Sequence, residues 1–405
     1  MRQNQKYFPL FDANGKLTNR FLIVSNMKLA DPKNIVEGNQ RVVRPRLADA
    51  RFFFETDKKA KLADRVAQLD NVVYHNKLGS QLDRVKRVRE LAKFIAQKIG
   101  ADPALAGRAA LLAKADLVTS MVGEFPELQG TMGRYYALAD GEEATVADAI
   151  EQHYRPRFAG DLLPEEKVAI AVALADKLEA LVGMFSVGQQ PTGDKDPLGL
   201  RRQALGIVRI LVEKSLKTNL GELLEQALTV MGQPRTEKLY DELLQFIRDR
   251  LRGWLRDQGF LSDEIESVVE HTLYLNEVIP CLNAVKVFKT IPEGKTLAAA
   301  HKRIRNILLK TARQTAPIEP SLGAMRLDAE KHLFTAMQSI QASFNMDNAG
   351  ERLKELAQLG PRVDAFFEEV MVMDEDATVR ENRIALLRKL EGQMNQVVDI
   401  SKLAT

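Results

Sequence analysis

GRAALLAKADLVTSMVGEFPELQG, residues 107–130, decides how this chain is read, because it is a small-residue apolar stretch that breaks at Lys114-Ala115-Asp116 without any strand-like alternation. The same character extends outward from it. From about residue 59 to 395 apolar side chains recur at spacings of three and four, as in Leu62, Val66 and Leu69, then Leu82, Val85, Val88 and Leu91. That spacing predicts an array of helices. Breaks are expected at GADP (100–103), ADGEEAT (139–145), FAGDLLPEE (158–166), GQQPTGDKDP (188–197), MGQPRTE (231–237), IPEGKT (291–296) and APIEPS (316–321).

The N-terminus differs. YFPLFDANGKLTNRFLIVSN (7–26) holds two β-prone runs around Asn14-Gly15, a pair that tolerates the positive φ of a tight hairpin. Residues 1–61 carry thirteen Lys and Arg against six Asp and Glu, so the segment is locally basic. It reads as an α/β domain joined partway along. The expected fold class is therefore mainly α, with a short N-terminal α/β segment.

Bulk properties narrow the function. With 405 residues, 45% apolar and 28% charged, the chain can bury several cores, and two to four domains are expected. Net charge is only +3, so any nucleic-acid affinity must come from charge gathered on one face. The single cysteine, Cys281, excludes an intrachain disulfide and a Cys-based zinc cluster and fits a reducing, cytoplasmic setting. The longest clean apolar run, VAIAVALA (168–175), stops at Asp176, far short of the roughly 20 residues that span a bilayer. Residues 197–280 read as a linking helical domain, in which Leu243, Phe246, Ile247, Leu251 and Trp254 share one helix face.

Around residues 114–116 the residues allow a metal-dependent phosphohydrolase of the His-Asp type, in which a first His, a His-Asp doublet and a distant Asp converge on one divalent ion. His75 could stand for the first ligand, Asp116 for the doublet's Asp and Asp176 for the distant one, but the doublet's His position is Ala115. Lys114 cannot replace it, since an ammonium has no lone pair to donate. The opposing reading has Asp116 and Asp176 bonded to helix ends or to Lys114 and Lys177, with His75 and His153 as packing or surface residues.

A second constellation lies near the C-terminus. Residues 286–313 carry eight Lys and Arg against Glu293 alone. At about 100° per residue Leu297, His301, Ile304 and Leu308 form one stripe, with Lys302, Arg303, Asn306, Lys310 and Arg313 opposite. This face is either a phosphate track or a solvated face balanced by the acidic run Asp364, Glu368, Glu369, Asp374, Glu375 and Asp376. In FFEEVMVMDEDATVRENRIALLRKL a helix ends at an acidic turn and another begins near Thr378, burying Ile384, Leu387 and Leu390 and leaving Arg380, Asn382 and Arg383 by the bend.

Five strings in order, VVRPRLADARFFFETD, AALLAKADLVTSMVGEFPELQG, HYRPRFAGD, GDKDPLGLRRQALGIVRI and FFEEVMVMDEDATVRENRIALL, resemble the β subunit of the bacterial two-subunit (α2β2) glycyl-tRNA synthetase. The resemblance runs from about residue 6 to the C-terminus. It implies the C-terminal part of a longer β subunit: the end of an α/β body domain (1–58), an HD-like helical domain (59–215), a helical linker domain (216–284) and a DALR-like anticodon-binding domain (285–405). It implies that catalysis resides on the α subunit, and that ATP and Mg serve the full enzyme while this chain binds no cofactor or metal and holds no catalytic residue. The partners it implies are the α subunit and tRNA(Gly), with neither membrane nor DNA. His75, Ala115, Asp116 and Asp176 then become degenerate HD-site positions. Lys302, Arg303, Asn306, Lys310, Arg313, Arg380, Asn382 and Arg383 become candidates for tRNA contact, the last residues for unstacked anticodon bases. The phosphohydrolase and a purely structural scaffold for the α subunit stand as alternatives.

Overall fold

The computed structural model describes residues 6–27, 30–193, 195–311, 318–340 and 349–403. The chain divides into two compact units, Met1–Lys59 and Ala60–Thr405.

In the first unit the Asn14-Gly15 hairpin forms. Strands Phe8–Phe11 and Leu17–Leu22 pair antiparallel, with Phe8 opposite Leu22. Gly15 takes a φ of +75°, and Asp12 Oδ1 accepts from the backbone N–H of Asn14 at 2.9 Å and of Lys16 at 2.8 Å, closing the turn. The helix Lys33–Asp57 follows. The Tyr7 hydroxyl donates to Asn39 Oδ1 at 2.9 Å, tying the hairpin to that helix.

The second unit is helical, and its centre is the helix Lys167–Ser186 that contains VAIAVALA. Every residue from Val168 to Phe185 is buried, the charged Asp176, Lys177 and Glu179 included. It packs against the helices Gln81–Ile99, Pro103–Leu112, Ala144–Gln152, Leu200–Glu213, Leu220–Val230 and Glu237–Asp257. Among the described residues no helix is long and apolar enough to cross a membrane. Local signals set the ends. Ser80 Oγ accepts from the Asp83 N–H while Asp83 Oδ2 accepts from the Ser80 N–H, a capping box. Gly100 closes that helix at φ +67°, and Asp102 caps the next, with Pro103 in its first turn.

Three elements depart from the periodicity reading. Residues Leu62–Asn71 form a 3-10 helix, not an α-helix, although Leu62 and Leu69 are buried as expected. The segment is anchored at its start by the Leu62 N–H on Asp140 Oδ2 (2.6 Å) and leads into the strand Val73–His75. The break expected at 291–296 shrinks to Ile291 between the helices Val278–Thr290 and Pro292–Thr311. Proline is tolerated in a first turn, and Gly294 lets the turn approach so closely that a Cβ would lie 2.5 Å from the Phe288 carbonyl oxygen. In the helix Glu237–Asp257, Leu243, Ile247 and Leu251 are buried, but Phe246 and Trp254 are half-buried and Leu244 and Leu255 fill the core.

Candidate nucleic-acid interface

The stretch 107–130 descends from the helix Pro103–Leu112 through a 3-10 turn, Ala115–Val118, into the short helix Ser120–Glu124. Ala115 and Asp116 are fully buried. Asp116 Oδ2 accepts from the N–H groups of Gly130 (2.6 Å) and Gly133 (3.0 Å), at the start of the helix Thr131–Ala139. Burial raises its carboxyl above the usual range, with those two N–H groups acting against the rise.

Asp176 has different company. Its Oδ1 lies 3.0 Å from Arg84 Nη2 and 3.2 Å from Lys114 Nζ. Burial alone would raise this carboxyl, but Arg84 and then Lys114 outweigh it and hold it well below the carboxylate range. Burial in turn pushes the Lys114 ammonium down to about 8, against the pull of Asp176. Lys114 also meets His153 Nε2 at 2.7 Å and lies 3.9 Å from the Tyr154 ring centroid. An ammonium only donates, so Nε2 accepts, and the other ring nitrogen donates to the Ile150 carbonyl at 2.6 Å. His153 is thereby a neutral, fully buried imidazole, and burial and Lys114 both hold its pKa well down. Lys177 donates to the His153 carbonyl at 3.2 Å.

His75 stands apart at the end of a strand, with Nδ1 accepting from the Lys77 N–H at 3.2 Å. Among the described residues no three His, Cys, Asp or Glu side chains gather to hold a metal ion. Two cations sit on the carboxylate a metal would need, and the other is turned onto a helix N-terminus. Residue reading named Lys114 as a partner for Asp176 but missed Arg84. The signal was a matched pair: Arg84 and Arg87 at i, i+3 oppose Asp176 and Glu179 at i, i+3. Glu179 receives Arg84 at 3.0 Å and Arg87 at 2.8 Å.

The helix Pro292–Thr311 realises the two-faced reading. Leu297, His301, Ile304 and Leu308 are buried, while Lys302, Arg303, Asn306 and Lys310 are exposed. Arg313 lies outside the described residues. A hollow of about 510 Å³ is lined by Lys302, Arg303, Asn306 and Lys310 together with Ala299 and Ile307. Two members of the acidic run are committed to arginines off this face. Asp374 pairs with Arg383 at 2.7 Å, and Asp376 is taken by Arg326. No ion pair joins Lys302, Arg303 or Lys310 to a described residue.

The C-terminal candidates divide differently. The helices Gly360–Glu369 and Ala377–Met394 form with Asp376 as N-cap, and Ile384, Leu387 and Leu390 are buried. Asn382 and Arg383, placed by the bend as candidates for tRNA contact, are buried with them. Asn382 both accepts from the Ser321 N–H (2.7 Å) and donates to the Ser321 carbonyl (3.1 Å). Arg383 donates to Glu330 at 2.6 Å, to the Met371 carbonyl at 2.8 Å and to Asp374. Half-buried Arg380 braces the turn through the Asp374 carbonyl at 2.7 Å. A buried polar group must be paired, and pairing here consumes the groups that a base would need. Sequence position alone placed these residues near the bend; it could not show that the bend is built from them.

Residues 1–270 match the family described as glycyl-tRNA synthetase beta subunit, and residues 297–403 match the DALR anticodon binding domain. Curated relatives include the glycine–tRNA ligase beta subunits of Aromatoleum aromaticum, 56% identical over 411 residues, and Ralstonia nicotianae, 53% identical over 410. A third, from Neisseria gonorrhoeae, is 52% identical over 409 residues. Each alignment covers 100% of this chain but only 58–59% of the relative, so the chain spans about three-fifths of their length. The match over two-thirds of the chain places it in the glycyl-tRNA synthetase beta subunit family.

Proposed function

We propose that this chain is the tRNA-binding portion of a cytoplasmic glycine–tRNA ligase beta subunit, supporting ATP-dependent attachment of glycine to tRNA(Gly) by a partner α subunit that holds the catalytic core. The observation that carries this reading is the helix Pro292–Thr311, most of which lies in the region matching an anticodon-binding domain, with Lys302, Arg303 and Lys310 exposed and in no ion pair with a described residue. Such cations on a rigid helix can displace condensed counterions from an RNA backbone at little reorganisation cost. ATP and Mg belong to the partner in this scheme. The chain's own Asp116 and Asp176 are committed to backbone N–H groups, Arg84 and Lys114, which argues against the phosphohydrolase alternative.

The test is tRNA(Gly) binding across a salt series. Lys302→Glu with Lys310→Glu should weaken binding by about 10–100-fold and lower the log–log salt slope by about 2, as expected for two lost phosphate contacts. Lys238→Glu, at an exposed position on the helix Glu237–Asp257, should change affinity by less than about twofold if the face rather than net charge governs binding. Unchanged affinity in the double variant would favour the scaffold role instead.

A further inference from the structure

Two adjoining hollows along the helix Pro292–Thr311 differ in the sign of the charge that lines them. The hollow lined by Lys302, Asn306 and Lys310 shares Arg303 and Ile307 with a second hollow of about 530 Å³. On that far side the lining becomes Phe367, Glu368, Glu369 and the segment Val370–Met373. The Arg303 guanidinium lies 4.2 Å from the Phe367 ring centroid, a stacked pair at the divide. Met371 is 74% exposed and Met373 51% exposed, a large apolar allowance for side chains that nothing described covers.

Two carboxylates make the second hollow a poor place for phosphate. They are acceptors only, and exposed. Polarizable methionines beside an aromatic ring and a guanidinium plane suit a flat heterocycle, and an acceptor at the rim suits an edge that offers an amino group, as cytosine N4 does. We propose that the two hollows divide the recognition of RNA: phosphates lie along Lys302 and Lys310, and an unstacked, amino-bearing base enters the hollow between Arg303–Phe367 and Met371–Met373, its edge read by Glu368 or Glu369. This rests on the tRNA-binding reading above and adds a base-reading half to it.

The experiment uses the full chain with a tRNA(Gly) transcript and with oligo(rC) and oligo(rU) of equal length. Met371→Ser with Met373→Ser changes exposed side chains and should lower tRNA affinity by about five- to tenfold without altering the salt slope, because no phosphate contact is lost. Oligo(rC) should bind about tenfold tighter than oligo(rU), and Glu368→Gln with Glu369→Gln should narrow that gap. Parental affinity in the methionine variant, beside a loss in Lys302→Glu/Lys310→Glu, overturns the base-reading half and leaves tRNA binding standing. Equal affinity for the two oligonucleotides overturns the amino-edge preference. A parent chain that is folded but binds no tRNA removes both readings.

Discussion

Lys114 reaches Asp176 from the turn that also carries Ala115, so the place of a divalent ion is answered by two side-chain cations, Arg84 and Lys114. Restoring the doublet alone should therefore restore nothing. Ala115→His would force an imidazole into a site with no exposed surface, and a loss of about 1–3 kcal/mol is expected from overpacking, read from urea unfolding. Titration calorimetry with Mn(II) should show no binding; a site of ordinary affinity would mean that Lys114 and Arg84 yield to the metal. The missing donor was legible in the sequence, because a side chain without a lone pair cannot ligate whatever the fold. The outcome for Asn382 and Arg383 was not legible. Polar residues beside a bend look alike in sequence whether they face solvent or, as here, hold Ser321 and Glu330.

At the scale of the element, the helix Pro292–Thr311 was read correctly across its width and misread at its start. Its stripe followed from the 3.6-residue period, whereas Pro292 and Gly294 suggested a turn where proline in fact begins a helix. The buried stripe contains a titratable member, His301, with Asp399 and Arg305 facing it. Burial pushes its pKa down to about 4, with Asp399 pulling the other way, while the unfolded chain keeps a value near 6.5. The unfolded state thus binds the proton more readily. This contribution to stability is complete above about pH 6.5 and is lost as pH falls through 4, on the order of 3 kcal/mol. His301→Leu should flatten that part of the profile when urea midpoints at pH 7 and pH 5 are compared. A slope identical to the parent's would assign the loss to other groups.

Across the whole molecule, periodicity identified the mainly helical class and the early hairpin, since both depend on local spacing. It could not say which helix each apolar stripe faces. That information lies in pairings such as Arg84 and Arg87 against Asp176 and Glu179, nearly a hundred positions apart. The helix Lys167–Ser186 shows the same limit, with neighbours from Gln81–Ile99 to Glu237–Asp257, segments on both sides of residue 215. One buried rod serving as a wall for six helices leaves no seam along it at which the structure can open piecemeal. Its backbone amides, from Ala171 to Leu181, should exchange with deuterium only through the largest opening of the helical unit and so form its slowest-exchanging set. Exchange there as fast as in the hairpin's neighbourhood would show an opening route along the rod. A single Leu174→Ala cavity should accelerate exchange in helices before and after it in the chain alike, so damage at this one position would be felt by the unit as a whole.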